Sequence, residues 1–307
     1  MNGDELEQIA QHLRNAGIAF ERGVPAGSFV TYRTGGPFAL LVTPRSNEEL
    51  RLVASWLAET SLPRLVLGRG SNMLIADNGF GGVAIQLAGE AFDFVTIESS
   101  EVTAGGATPL PVLARRSVGA SRQGLEFYVG IPGTVGGAIR MNAGGHGQET
   151  AHVVQSVSVV SLRSGKAKRF RADELDFGYR SCNLTEDDVV TSATFAVLPG
   201  DAEIGAAKLE EIVKWRREHQ PGGANAGSVF RNPPGDSAGR LIEASGCKGL
   251  RIGGAWISEK HANFIQADED ALAGDIIAVA EEARARVLDR FGILLEWELQ
   301  RVGFDAC

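Results

Sequence analysis

Two glycine-rich segments are the first residues in this sequence whose type and spacing could do chemistry. Leu67-Gly68-Arg69-Gly70-Ser71-Asn72 follows an apolar run. Glycine there permits positive φ and close backbone approach, so successive N–H groups, with the side chains of Ser71 and Asn72, can face a diphosphate. A tight structural turn accounts for the two glycines equally well. The third glycine of G-x-G-x-x-G is missing, which argues against a Rossmann site. The second segment, Gly130 to Gly145, holds six glycines, among them Gly130, Gly133, Gly136, Gly137 and Gly144, a density that turns alone do not readily explain. Thr134 to Arg140 is expected to start a short helix whose free N–H groups bind an anion. No G-x-x-x-x-G-K-[ST] run occurs, so a dinucleotide held by backbone donors fits better than a nucleoside triphosphate.

Polar residues elsewhere admit two explanations each. In Gly178-Tyr179-Arg180, Arg180 is either a surface arginine or a fixed guanidinium that clamps a carboxylate and stabilises negative charge. Ser228, between Gly227 and the bulky Val229-Phe230, either completes a turn or supplies a proton-donating or ligand-binding hydroxyl. No His/Asp pair is suggested nearby in sequence to make it a nucleophile. Ser258-Glu-Lys-His-Ala-Asn-Phe could grip sugar or phosphate, or merely be solvated. Glu296 and Glu298 lie at strand spacing and are expected to face one side.

The elements that must position these groups follow from periodicity. Leu6, Ile9, Ala10 and Leu13 recur at helical spacing, and Ser46-x-x-Glu49 reads as a capping box ahead of a second helix. Phe38 to Thr43 and Leu65 to Leu67 read as strands, so the first glycine segment sits at a strand's C-terminal end. Val95, Val102, Val157 to Leu162 and Val189 to Val197 mark further strands around a helix near Leu110 to Ser117. Ile204 to Glu218 reads as a helix. A final helix over about 270–291 carries Leu272, Ile276, Ala280, Ala283, Val287 and Phe291 on one face, and Gly292 ends it before a strand from Ile293 to Val302.

Bulk properties bound the possibilities. At 307 residues the chain exceeds the usual size of one hydrophobic core, so two or three domains are expected. A net charge of −8 argues against a general nucleic-acid binder. No apolar run approaches the length that spans a bilayer, and the N-terminus reads as an amphipathic helix rather than a signal peptide, so a cytoplasmic protein is expected. Cys182, Cys247 and Cys307 lack C-x-x-C spacing and are expected as reduced thiols; the five histidines show no ligand pattern, so no protein-bound metal is expected.

Taken together, the segments resemble the UDP-N-acetylenolpyruvoylglucosamine reductase family over nearly the whole chain. The resemblance rests on an ordered set: Gly68-Arg-Gly-Ser-Asn, Gly130-Ile-Pro-Gly-Thr-Val-Gly-Gly, Met141-Asn142-Ala143-Gly144, Tyr179-Arg180, Gly227-Ser-Val-Phe-Arg231-Asn232-Pro, Ala238-Gly-Arg-Leu-Ile-Glu and Ser258-Glu-Lys-His-Ala-Asn-Phe. It implies an α+β fold, with a two-subdomain FAD-binding module of the vanillyl-alcohol-oxidase (PCMH) type over residues 1–94 and 95–199, then an α+β substrate domain over residues 200–307. It implies that NADPH reduces FAD and is replaced by UDP-N-acetylglucosamine enolpyruvate, hydride then passing from flavin N5 to C3 of the vinyl group. By motif position, Arg180 would stabilise the enolate, Ser228 would protonate C2, and Glu298 rather than Glu296 would hold or polarise the reacting group.

The resemblance likewise assigns cofactor binding to Gly68, Arg69, Gly70, Ser71 and Asn72, to Gly130, Gly133, Thr134, Gly136 and Gly137, and to Asn142, Ala143 and Gly144. Substrate binding falls to Tyr179, Arg231 and Asn232, with Lys214, Arg217, Lys260 and His261 as guesses for phosphate contacts. Arg231 stands where the family often has Lys, and Ala224-Asn-Ala where it often has Pro-Ser-Ala. No insertion between Arg180 and Ser228 is long enough for an extra capping loop, which points to the family's shorter branch. A monomer is expected. Two rivals remain at this point: another FAD oxidoreductase of the same fold, and a nonenzymatic flavin or UDP-sugar sensor.

Overall fold

The computed structural model describes residues 2–304, so Cys307 lies outside the described residues. The chain divides into two compact units, the first made of residues 1–22, 40–68 and 82–215, the second of residues 23–39, 69–81 and 216–307.

The first unit holds two cores. One forms where helix α1 (Asn2–Ala16) and helix α2 (Asn47–Ala58) bury Ile9, Ala10, Leu13, Leu50, Val53 and Leu57, the apolar stripes that their periodicity predicts. Ser46 caps α2 by accepting the Glu49 N–H at 3.1 Å, but the Glu49 carboxylate reaches back to the Arg45 amide at 2.7 Å, so the capping box closes one residue early. A four-stranded sheet in the order Phe20–Pro25, Pro37–Val42, Phe80–Ile85, Arg64–Val66 accompanies them. Its last two members pair in parallel, Arg64 opposite Val83.

The other core is built on a five-stranded antiparallel sheet ordered Ala167–Arg171, Val154–Ser161, Asp188–Ala196, Glu101–Gly105, Val95–Ile97. Helix α3 (Leu110–Gly119) and the short helix α4 (Val135–Arg140) contribute Leu113, Ala114, Val135 and Ile139 to it. Ile212 on helix α5 (Ala202–His219) joins the same core.

The second unit packs helix α6 (Ala238–Ala244) and helix α7 (Ala273–Phe291) with a three-stranded antiparallel sheet, Arg251–Ile252, Ala255–Ile257 and Ile265–Ala267. Ile276, Ala280, Ala283 and Val287 of α7 are buried there, as the periodicity predicts. Leu272 is a correction: it precedes the helix and is exposed, because the Asp275 carboxylate accepts the Leu272 and Gly254 N–H groups and starts the helix at Ala273. Asp77 accepts the next two amides, those of Ala273 and Gly274, where the helix dipole favours negative charge. Gly292 ends α7 at φ +69°.

A second correction concerns the chain's end. Only Gln300–Val302 forms the expected strand, parallel to Met73–Ile75. Residues 293–299 form no regular strand; the extended pairing there is the antiparallel bridge between Trp297 and Phe230. No helix of the described residues is long and apolar enough to cross a membrane.

Candidate active site

The two glycine segments touch within the first unit. A Cβ on Gly68 would lie 3.0 Å from the Thr134 Oγ, and the Gly68 carbonyl accepts the Gln86 side-chain N–H at 3.0 Å. Thr134 caps α4, receiving the Gly137 N–H at 3.3 Å. The expectation that this helix start presents free N–H groups is corrected here. The Val135 amide donates to the Thr108 carbonyl and the Gly136 amide to the Gly106 carbonyl, while the Gly133 carbonyl accepts from Leu110. The reason is that residues 105–110 run antiparallel along residues 133–136, with Pro109 bridging Thr134, and take up those amides. Gly136 serves this close approach, since a Cβ there would meet the Gly106 carbonyl at 3.1 Å. Gly130 backs onto Ile212, and a Cβ on Gly144 would meet the Gln148 carbonyl at 2.7 Å. The Ala143 carbonyl accepts the Thr150 N–H.

The rest of the first segment belongs to the second unit. Gly70 has φ +59°, and a Cβ there would fall 2.3 Å from the Phe29 carbonyl and 2.6 Å from the Val30 Cα, so no other residue fits without displacing that backbone. Its carbonyl accepts the Thr31 amide. Arg69 is exposed and Ser71 half-buried. Asn72 turns inward toward the chain's end: its Nδ2 donates to the Glu298 carbonyl at 3.1 Å, and its own carbonyl accepts the Gln300 amide at 3.1 Å.

Arg180 occupies a strained turn in the first unit. Gly178 and Ser181 exchange backbone hydrogen bonds at 3.0 and 3.2 Å, which forces the intervening Arg180 to φ +55°. The guanidinium is half-buried and lies 5.5 Å from the ring centre of the exposed Tyr179. Asn142 anchors the turn. It is 2% exposed, sits at φ +40°, donates from Nδ2 to the Gly178 carbonyl at 3.0 Å and accepts the Ala151 amide at 2.9 Å. Its carboxamide is thereby committed to the protein.

In the second unit Ser228 and Glu298 are brought into register by the residue between them in space, Val229. The Val229 carbonyl accepts the Glu298 amide at 2.9 Å and the Leu299 amide at 3.2 Å, while its N–H donates to the Asn263 carbonyl at 2.9 Å. Asn263 adds a side-chain clamp: Oδ1 accepts the Phe230 N–H at 3.0 Å and Nδ2 donates to the Phe230 carbonyl at 2.8 Å. Ser228 bridges Phe264, Phe230 bridges Trp297, and the Arg231 amide donates to the Glu296 carbonyl. Three extended segments thus form a ladder with the half-buried Ser228 at its centre. Glu296 is exposed and Glu298 half-buried.

The remaining expected binding residues scatter. Arg231 is half-buried, and its Nε is buried without a hydrogen-bond partner, an orphaned cationic donor that needs an acceptor. Asn232 accepts the amide of Ala238, the first residue of α6, whose N-cap is Ser237. Lys260 donates to the Arg217 carbonyl at 2.9 Å, which joins two of the four phosphate guesses; Lys214 is exposed on α5. His261 packs 4.7 Å from the Phe264 ring and accepts the Asn263 amide on Nδ1 at 3.2 Å. Burial, more than its charged neighbour Lys248, holds its pKa below the usual imidazole value. A neutral acceptor of that kind makes a poor phosphate clamp. The role of Asn263 was missed in the sequence, where the only signal is a carboxamide flanked by the apolar Ala262 and Phe264.

Comparison with known proteins agrees with the motif order. The family described as UDP-N-acetylenolpyruvoylglucosamine reductase, C-terminal domain, matches residues 219–302, and that described as FAD binding domain matches residues 38–171. A reductase of the same name from Heliobacterium modesticaldum is 43% identical over 301 residues, 97% of this chain and 94% of that one. One from Methylorubrum extorquens strain PA1 is 42% identical over 276 residues, covering 90% and 89%. The crystal structure of UDP-N-acetylenolpyruvylglucosamine reductase from Thermus caldophilus superposes with a TM-score of 0.81 at 36% identity, over 93% of this chain and 99% of that one. The fold is therefore α+β, an FAD-binding domain of the vanillyl-alcohol-oxidase type with the family's C-terminal domain.

Proposed function

Because this chain belongs to the UDP-N-acetylenolpyruvoylglucosamine reductase family, we propose that it reduces UDP-N-acetylglucosamine enolpyruvate to UDP-N-acetylmuramate in peptidoglycan precursor synthesis. When bound, FAD reduced by NADPH would supply the hydride that adds to C3 of the vinyl ether. The cofactor fits the chemistry of the residues present: Gly68 and Gly70 turn their α-carbons onto Thr134 and onto the Phe29–Val30 backbone, and the N–H groups of that segment, with the side chains of Arg69 and Ser71, would be the donors offered to a diphosphate. Residues 1–94 and 95–199 hold the flavin in this reading, and residues 200–307 the substrate. The enzyme acts as a cytoplasmic monomer.

The ladder around Val229 carries the reading. Hydride addition at C3 leaves electron density on C2 and its carboxylate, and completing the reduction takes one proton at C2. Ser228 supplies it, and a hydroxyl can do so because the enolate carbon is strongly basic. Arg180, through its guanidinium, stabilises the charge that accumulates before the proton arrives. Glu298, locked to Val229 through its own amide, orients the reacting group. Arg231, with Nε buried and unpaired, takes an anionic oxygen of the substrate.

Ser228→Ala tests this directly. Flavin reduction by NADPH should survive while reoxidation by the enolpyruvyl substrate falls by about 10²–10³, the scale expected for one preorganised donor. Equal reoxidation in variant and parent refutes the proton-donor role.

A further inference from the structure

Resting on that assignment of Ser228, we propose that Asn263 is a positioning residue for proton transfer, setting where the Ser228 hydroxyl points. A half-buried loop serine between a glycine at φ +77° and two bulky residues has no intrinsic reason to hold one direction. What fixes it is the pair of peptide units that follow. The Val229 N–H is taken by the Asn263 carbonyl, and the Phe230 N–H and C=O are both taken by the Asn263 side chain. Three hydrogen bonds from one residue remove the rotational freedom of the segment immediately after the serine.

The carboxamide is specific to this task. Only a group with one donor and one acceptor side by side can close on the N–H and C=O of the same residue. Asn263 is 3% exposed, so water cannot substitute for it. Its own placement is secured by the neutral His261 ring, which accepts its amide, and by the Ser258 to Phe264 turn, where the Ser258 amide donates to the Phe264 carbonyl. The ladder reaches Glu298 through the Val229 carbonyl, so the clamp at Asn263 bears on the serine and on its register with the carboxylate at once.

The experiment compares Asn263→Ala, Asn263→Asp and Ser228→Ala as flavin-loaded enzymes, timing the two half-reactions separately. In Asn263→Ala, reduction by NADPH is expected to be unchanged, reoxidation by substrate to slow about 10- to 100-fold, as for an ångström-scale misplacement, and the solvent deuterium isotope effect on reoxidation to grow. Asn263→Asp presents the same shape but can donate to the Phe230 carbonyl only when protonated. Its reoxidation rate, taken relative to the parent at each pH, should therefore rise as the pH is lowered; this variant carries the test if the alanine variant fails to fold. A parent-like rate in folded Asn263→Ala, or a pH-independent ratio for Asn263→Asp, overturns the proposal. A collapsed Ser228→Ala beside a parent-like Asn263→Ala removes only the positioning role. A parent-like Ser228→Ala removes the proton-donor reading and this inference with it.

Discussion

Asn142 and Asn263 are both buried carboxamides that hold a backbone next to a proposed catalytic side chain, and they do it by opposite means. Asn142 itself lies at φ +40° and secures a turn in which Arg180 lies at φ +55°; both conformations are uncommon for residues with a Cβ. Asn263 clamps an ordinary extended segment, and the backbone near Ser228 is left-handed only at Gly227. The arginine is thus held by a locally strained loop that Asn142 anchors at Gly178. The serine is held by a ladder with redundant hydrogen bonds. A charge stabiliser tolerates small angular error because Coulombic attraction falls slowly with distance. Proton delivery depends on direction and does not.

Removing the charge altogether gives the largest effect expected on the arginine side. Arg180→Ala should lower the rate of substrate reduction by about 10²–10³ while leaving flavin reduction by NADPH intact; stopped-flow absorbance of the flavin band reads both. A variant that loses flavin reduction equally would mean that the arginine serves the cofactor instead. Next in size, Asn142→Ala should cost about 1–3 kcal/mol of stability by stranding the Ala151 N–H and removing the side-chain bond to the Gly178 carbonyl. If the comparison above is right, its turnover per bound flavin should fall less than that of Asn263→Ala, because the Gly178–Ser181 bonds persist without Asn142. Calorimetry and turnover on the same sample decide it.

The smallest effect is a pH dependence on the serine side. The folded state holds the His261 pKa below its unfolded value, chiefly through burial, so the unfolded chain binds the proton more readily. The stabilising contribution is present above the unfolded imidazole pKa of about 6.5 and is lost as the pH falls from there toward the folded value. Protonation also deprives the Asn263 amide of its Nδ1 acceptor. Thermal scans on either side of that range should show the parent losing stability in acid, and His261→Gln should flatten the response. An equal acid response in His261→Gln would assign it to other groups.

Much of this architecture was legible in the sequence, and what was not shares a physical cause. The cap at Ser46, the short helix after Thr134, the apolar faces of α1 and α2 and most of that of α7, and the stop at Gly292 are written in local pattern and appear where that pattern puts them. The extended strand expected over 293–302 shrank to three residues because its hydrogen bonds go to the Ser228 loop, a partner that periodicity cannot name. Leu272 looked like the first rung of α7 until Asp275 proved to start the helix after it. The Ser228 and Arg180 segments stood out by composition. Their asparagine anchors lie 33 and 36 positions away from what they hold, and only the fold brings them there.

The bond from Asn72 to Glu298 joins positions 226 apart in the chain. On a ribosome adding about 5–20 residues per second, the first glycine segment is made some 10–45 s before its partner emerges. A long-range contact of this kind closes late, after the entropy of a long loop has been overcome. The nascent chain therefore holds the first glycine segment long before residue 298 emerges, and Asn72 waits for its partner through the synthesis of everything between them.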